Sequence, residues 1–354
     1  MHLRPFLLAA SLLTATLLVA CGGSSGDSAP GGDAGPVTLR LGYFPNVTHV
    51  QPQVGLARGT FTETLGSGVK LDMSKTFNAG PSAMEALLAG EIDATYVGPS
   101  PAINAYQKSN EKELRIVAGA TSGGAMLVVR PGANINTAAD FANKKVASPQ
   151  LGNTQDVALR AWLQQNKLGA KENGGNVSVL PIANADALTL FRKGDIDAAW
   201  SPEPWASRLV QEAGGKVFFD ERTLWPDGKF ATTILVVRTS FIQKHPDVIA
   251  KLVKAHVETT QWINANPDEA KRLVNQNIEK LTSQPIPQAL IDAAWPHQEV
   301  TYDPLVSTIQ KGADDAFKLG FLIGKKPDLS KLYDLSFLNK VLQELMLPTV
   351  GGTS

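Results

Sequence analysis

The residues able to do chemistry in this chain are short, mostly polar, and gathered in loops. Asn46 and His49 stand in Phe44-Pro45-Asn46-Val47-Thr48-His49, Gly80 and Ser82 in Asn78-Ala79-Gly80-Pro81-Ser82, and Ser100 in Gly98-Pro99-Ser100. Thr121 and Ser122 lie in the run Gly119 to Gly124, Asn153 and Thr154 in Leu151 to Gln155, and Glu203 and Trp205 in Ser201-Pro202-Glu203-Pro204-Trp205. Each loop falls where a strand pattern ends and a helix is expected to begin. Helix starts carry unpaired N–H groups and a partial positive charge, so several of them around one cleft bind an anion without Lys or Arg. A sulfonate, nitrate or phosphonate suits that chemistry. Taken singly, Ser82, Ser100 and Asn153 read as helix caps; six such loops together read as a cleft. His49 could donate to an anion or cap within its own loop. Glu203 could meet a substrate ammonium, although bonding to its own helix start is the better reading. Trp205 and Trp200 could wall an apolar part of a ligand, with Trp200 better read as core. Asp93 and Asp197 read as turn formers.

No catalytic constellation accompanies these residues. The sequence has no His-Glu-x-x-His, no Gly-x-Ser-x-Gly, no phosphate-binding loop and no Gly-x-Gly-x-x-Gly after a strand. His2, His49, His245, His256 and His297 have no metal-ligand spacing. No catalytic residue, metal or cofactor is therefore expected.

The loops need elements to hold them. An internal repeat supplies a frame. AMEALLAGEIDATYVGPSPA from Ala83 resembles ALTLFRKGDIDAAWSPEPWA from Ala187, with Gly90/Gly194, Ile92/Ile196, Asp93/Asp197 and Ala94/Ala198 at a constant offset of 104. Each copy reads as a helix ending at a Gly, a buried strand, and a Pro-x-Pro opening another helix. Ser82 and Glu85 form a Ser-x-x-Glu pattern that predicts a helix start at Ser82. Strand patterns at Val37–Tyr43, Lys70–Phe77, Arg115–Ala118, Ala125–Val129, Lys145–Ala147, Val177–Ile182 and Ala231–Val237 alternate with helical ones, including Gln53–Leu65 and Asp156–Asn166. Alternation predicts an α/β protein with mainly parallel sheets flanked by helices. After about residue 240 the pattern is nearly all helical.

The ends and the composition bound the setting. Arg4, the apolar run Phe6 to Val19 and Leu18-Val19-Ala20-Cys21 read as a lipoprotein signal peptide over 1–20, with Cys21 receiving the lipid. Residues 21–36 follow as lipidated Cys and flexible linker, rich in Gly, Ser, Pro and Asp. Cys21 is the lone cysteine, so no disulfide is expected. The 33 basic and 33 acidic residues balance, which speaks against nucleic acid as a partner. The length favours two domains.

Gly42-Tyr43-Phe44-Pro45-Asn46, Phe77 to Ser82 with Ala86 to Asp93 after it, Val97-Gly98-Pro99-Ser100-Pro101 and Glu203-Pro204-Trp205 carry a likeness covering Val37 to Leu347. By these the body resembles the sulfonate/nitrate/taurine-type solute-binding proteins of ABC importers. The resemblance implies a two-lobed periplasmic-binding-protein fold of type II that closes around its ligand. It places lobe one at 37–124, lobe two at 125–231, and the return segment with the C-terminal helices, packed on lobe one, at 232–354. Crossovers are implied near Thr121–Ala125 and Phe230–Thr233. The implied partners are a small-molecule ligand, an ABC permease with its ATPase, and a membrane held through the lipid alone, the protein being a monomer. The fold also hosts enzymes of thiamin-pyrimidine and menaquinone synthesis. The Cys-rich motif of the pyrimidine synthases is missing here, while binders of a neutral pyrimidine precursor stay open as an alternative.

Overall fold

The computed structural model describes residues 35–351, so the leader and Cys21 lie outside the described residues. The chain opens with β1 (Val37–Gly42), α1 (Val50–Arg58), α2 (Thr60–Leu65), β2 (Val69–Asp72), α3 (Gly80–Leu88), β3 (Ala94–Val97), α4 (Pro99–Lys108) and β4 (Leu114–Gly123). Then come β5 (Ala125–Val129), β6 (Lys145–Ser148), α5 (Thr154–Gln165), β7 (Ser178–Pro181), α6 (Asn184–Lys193), β8 (Ala198–Pro202), α7 (Trp205–Ala213) and β9 (Lys216–Asp220). The last stretch holds β10 (Ala231–Arg238), α8 (Thr239–Lys244), α9 (Pro246–Ala265), α10 (Pro267–Thr282), α11 (Gln288–Ala294), β11 (Gln298–Val300), α12 (Val306–Lys318) and α13 (Ser336–Glu344). No helix among the described residues is long and apolar enough to cross a membrane.

Alternation makes β1 a strand: Leu39 and Leu41 are buried while Thr38 faces out. The single helix expected over Gln53–Leu65 is two, because Gly59 adopts a left-handed φ of 75° and ends α1. The strand expected over Lys70–Phe77 stops at Asp72, whose carboxylate accepts the Ser74 N–H at 2.9 Å and turns the chain. A helical stretch expected after residue 240 is interrupted by β11, which pairs antiparallel with the end of β4.

Two sheets result, in the orders β11-β4-β10-β3-β1-β2 and β7-β6-β8-β5-β9. Both are mixed, which corrects the expectation of mainly parallel sheets. β1 runs parallel to β2 and β3, and β6 parallel to β7 and β8. The strands that cross between sheets are the antiparallel ones: β10 beside β3 and β4, and β5 beside β8 and β9. Each sheet is packed on both faces. Val117, Leu235 and Leu252 belong to one cluster of the first sheet and Ile103, Ile116 and Ile309 to the other. Trp200 and Phe141 fill one face of the second sheet, Phe191 and Leu209 the other.

The chain passes from β4 to β5 through Gly123 and Gly124, with φ of 74° and 78°. A Cβ on Gly123 would stand 2.7 Å from the His297 carbonyl, and one on Gly124 2.8 Å from Thr48 Cγ2. Only glycine fits both the conformation and the space. From Pro36 on, the chain clusters as one compact unit.

Candidate functional site

The carboxyl ends of the parallel strands face each other across a cleft. From the first sheet come Phe44, Asn46, Thr48 and His49 after β1, Asn78 after β2, Gly98 after β3, and Thr232 and Thr233 of β10. From the second come Asn153, Thr154 and Gln155 after β6, Asn184 after β7, and Pro202 at the end of β8. Strand ends are where open α/β sheets bind ligands. The cavity left between them is only about 20 Å³, room for about one water molecule, so the two walls stand nearly closed on each other.

Among the described residues no Lys, Arg, Asp or Glu lines this cavity. Its polarity comes from elsewhere. Five helices start at or beside its wall, namely α1, α3, α4, α5 and α6, and none has a side chain bonded across its N-cap. Their first-turn N–H groups bring partial positive charge, with fewer donors in α4, where Pro99 and Pro101 have none. Thr154 Oγ1, Asn184 Oδ1 and Thr233 Oγ1 are buried and have no hydrogen-bond partner among the described residues. Buried polar atoms are nearly always paired, so three orphans around one cavity mark a place where something else supplies the partner.

His49 adds a neutral donor. Its Nδ1 accepts the Phe44 N–H at 3.3 Å, and its ring stacks on Phe44 with centroids 4.3 Å apart. A ring nitrogen that accepts carries no proton, so the proton belongs on Nε2. Burial lowers the His49 pKa to about 3, so the imidazole is uncharged at neutral pH.

The structure brings Asn46, His49, Asn153 and Thr154 together in the cavity. Gly80 stands beside it, pressed on Pro101, with Asn153 Oδ1 3.1 Å from where a Cβ would be. Trp205 also stands beside it, its Nε1 donating across the cleft to Asn46 Oδ1 at 3.2 Å. Other expected site residues are spent elsewhere. The helix predicted to start at Ser82 starts at Gly80, and Ser82 Oγ donates to the Ala79 carbonyl at 2.9 Å instead of capping. Ser100 is buried in the first turn of α4, off the cavity wall. Thr121 Oγ1 donates to the Thr48 carbonyl at 2.7 Å and so braces the first loop. Ser122 Oγ accepts the Phe230 N–H at 3.2 Å and lines a separate crevice with Arg222 and Lys229.

Glu203 is fully buried and accepts from both Ser207 N at 3.0 Å and Ser207 Oγ at 2.9 Å. Burial raises its pKa to about 7. It bonds its own helix start, the reading the sequence favoured, and neither oxygen lines the cavity. Among the described residues no group of three or more His, Cys, Asp or Glu could hold a metal ion.

Asn184, Thr232 and Thr233 were not anticipated. A signal for Asn184 was present: the offset of the repeat carries the flagged loop at Asn78 to the segment at Ile182–Asn184. Nothing in the pattern of β10 singles out its two threonines.

The sequence profile of the NMT1-like family matches residues 32–278. The taurine-binding periplasmic protein of Escherichia coli (strain K12) is 29% identical over 238 residues, 66% of this chain and 69% of that one. A Bacillus subtilis (strain 168) protein, whose name proposes the binding of aliphatic sulfonates, is 26% identical over 333 residues, 93% of this chain and 94% of its own. Among solved structures, the alkanesulfonate-binding protein SsuA from Xanthomonas axonopodis pv. citri, bound to MOPS, matches with a TM-score of 0.69 at 19% identity, over 83% of this chain and 96% of that one. A desulfurization enzyme, DszB, shares the fold at a TM-score of 0.63 and 17% identity, over 87% of this chain and 99% of its own. At such identities the likeness concerns the fold.

Proposed function

The chain belongs to the NMT1-like family, and on that premise we propose that it is the solute-binding component of an ABC importer, capturing a small oxyanion between two lobes. One observation carries the choice of ligand. Five helix starts without side-chain caps and three unpaired polar atoms surround a cavity with no formal charge in its wall among the described residues. Such a wall stabilises a negative group by oriented dipoles and holds no carboxylate for a cation, with Asn184 Oδ1 left to accept from a donor of the ligand. An aliphatic sulfonate matches that chemistry, in keeping with what the relatives are named for, and the nearly closed cavity of about 20 Å³ must widen to take it. Taurine also carries an ammonium, and the nearby acid, Glu203, is already bonded to Ser207. The reading therefore favours a sulfonate without an amino group.

Residues 37–124 and 232–354 form lobe one in this proposal, and 125–231 lobe two. The ligand bonds to both, so its affinity is largest in the closed form and it shifts the lobes toward closure. The closed protein delivers the solute to a permease driven by its ATPase. The binding protein itself works as a monomer, exported and held at the membrane through lipid on Cys21, and catalyses no reaction.

Calorimetry and thermal shift with alkanesulfonates, taurine, nitrate, bicarbonate and a pyrimidine precursor test this. A stabilisation of about 3 kcal/mol is expected from an alkanesulfonate at a hundredfold excess over its Kd, with less from taurine. Stabilisation by the pyrimidine alone, or turnover of a bound compound, would overturn the assignment.

A further inference from the structure

Behind the cavity wall lies a buried network that the binding chemistry does not itself use. Asp156, in the first turn of α5, is fully buried and accepts from Ser148 Oγ at 2.7 Å, from the Gly152 N–H at 2.9 Å and from Arg160 Nε at 3.1 Å. These three donors sit at the end of β6, in the loop that enters the cleft, and one turn along α5. Gly152 has a φ of 75°, so the loop turns sharply there. Arg160 is held in turn by Glu172 Oε1 at 2.6 Å.

The consequence falls on Asn153, the next residue. An asparagine at an N-cap ordinarily spends its side chain on the N–H groups of its own helix. Here it makes no such bond; its Nδ2 donates to Gln155 Oε1 at 3.2 Å and its side chain lines the cavity. Asp156 reaches back to the loop from inside the helix and does the tethering instead.

We infer that Asp156 is the positioning residue for the second-lobe half of the solute site, holding the loop through Ser148, Gly152 and Arg160 so that Asn153 and Thr154 face the ligand. This rests on the solute-binding reading above. An amide at this position has one acceptor oxygen where the carboxylate uses two, so Asp156→Asn must lose part of the network.

A double-mutant cycle with Asn153→Ala tests it, read as affinity for ethanesulfonate and nitrate. Asp156→Asn and Asn153→Ala alone should each weaken binding roughly tenfold, and together little more than either. Additive losses, or full affinity in Asp156→Asn, would overturn the inference. Should Asp156→Asn not fold, Ser148→Ala removes one tether and should show a smaller loss with the same non-additivity. Should the wild-type protein bind neither probe, the solute assignment fails by itself. Exchange at the Gly152 amide then decides the rest: roughly tenfold faster exchange in the variant upholds the tether, and unchanged exchange refutes it.

Discussion

In each lobe an aspartate just before a central strand, β3 in one and β8 in the other, ties two distant pieces of backbone together. Asp93 accepts the Arg40 N–H of β1 at 3.0 Å and the Arg238 guanidinium at the end of β10 at 2.9 Å. Asp197 accepts the Lys145 N–H of β6 at 2.9 Å and the Arg130 guanidinium after β5 at 3.3 Å. The strand orders agree too, since β2-β1-β3-β10-β4 has the same sequence of roles as β7-β6-β8-β5-β9. Where the lobes part is in what they bury. The first buries two imidazoles that burial keeps neutral: His49, and His256, whose Nδ1 lies 2.9 Å from Tyr96 Oη. The second buries two carboxyls without a cation partner among the described residues, whose pKa burial raises: Glu203, and Glu221, which accepts from Trp200 Nε1 at 2.8 Å. The frame of a duplicated lobe is fixed by hydrogen bonds to backbone, while interior charge is free to diverge.

The largest effect should come from breaking the frame. Asp93 is 1% exposed and also pairs with Arg40 at 2.7 Å, whereas Asp197 is 21% exposed with a single, longer guanidinium contact. Asp93→Ala should cost about 3 kcal/mol of stability by denaturant titration, and Asp197→Ala about 1 kcal/mol. Equal losses would show that burial does not distinguish the two copies.

Closure comes next. A Cβ on Gly98 would collide with Thr154 Oγ1 across the cleft, although Gly98 itself has an unstrained φ of −71°. Gly98→Ala should weaken solute binding by about 2 kcal/mol, roughly thirtyfold, while the melting temperature of the free protein holds. A fall in that temperature with full affinity would relocate the constraint to within one lobe.

The buried charges separate the lobes by pH. Burial raises Glu221 and Glu203 to about 7, so the folded state holds protons that the unfolded one releases above pH ~4.5. Their contribution is full below that pH and is lost as pH rises toward 7. Burial lowers His49 to about 3 and His256 to about 4; their contribution is present above pH ~6.5 and falls as pH drops toward those values. Glu221→Gln should remove a decline of about 1.4 kcal/mol per pH unit between pH 5 and 7. An unchanged pH profile in urea melts would mean that Glu221 titrates like an exposed acid.

The smallest effect is expected at the seam between lobes. Trp205→Phe deletes the bond to Asn46 and should weaken solute binding by about 1 kcal/mol, read by calorimetry. Tighter binding would show that this contact holds the empty protein shut.

The duplicated unit was legible because its Gly, Asp and Pro positions are demanded by local backbone geometry, and Gly90 and Gly194 both end a helical stretch with positive φ. The loops of the cleft were legible for the same reason, as they follow strand patterns. Less legible was which polar residue in each loop turns inward. Ser82 and Asn153 look alike as caps, yet Ser82 bonds back to Ala79, and Asn153 is left for the cleft because Asp156 holds its loop. That choice is made by hydrogen bonds within a few residues, which the cap pattern alone does not distinguish. The role of Thr232 and Thr233 is set over a longer range, since they reach the cavity only because β10 crosses from one lobe into the other.

The placement of β10 also has a bearing on how the protein is made. It fills the slot between β3 and β4, yet it is separated from β4 by the whole of the second sheet. A chain extended from its amino end reaches Gly123 with a hole in the middle of its first sheet, and with two apolar edges facing it. The second sheet has all five of its strands between Ala125 and Asp220. Its contacts are nearer in sequence, and such units assemble sooner. In pulsed hydrogen exchange during refolding, amides of β5 to β9 should gain protection before those of β3 and β4; simultaneous protection would contradict this order. The inserted lobe is then the seed on which the enclosing one closes, so an exported chain is exposed through its unfilled first sheet until residue 238 has arrived.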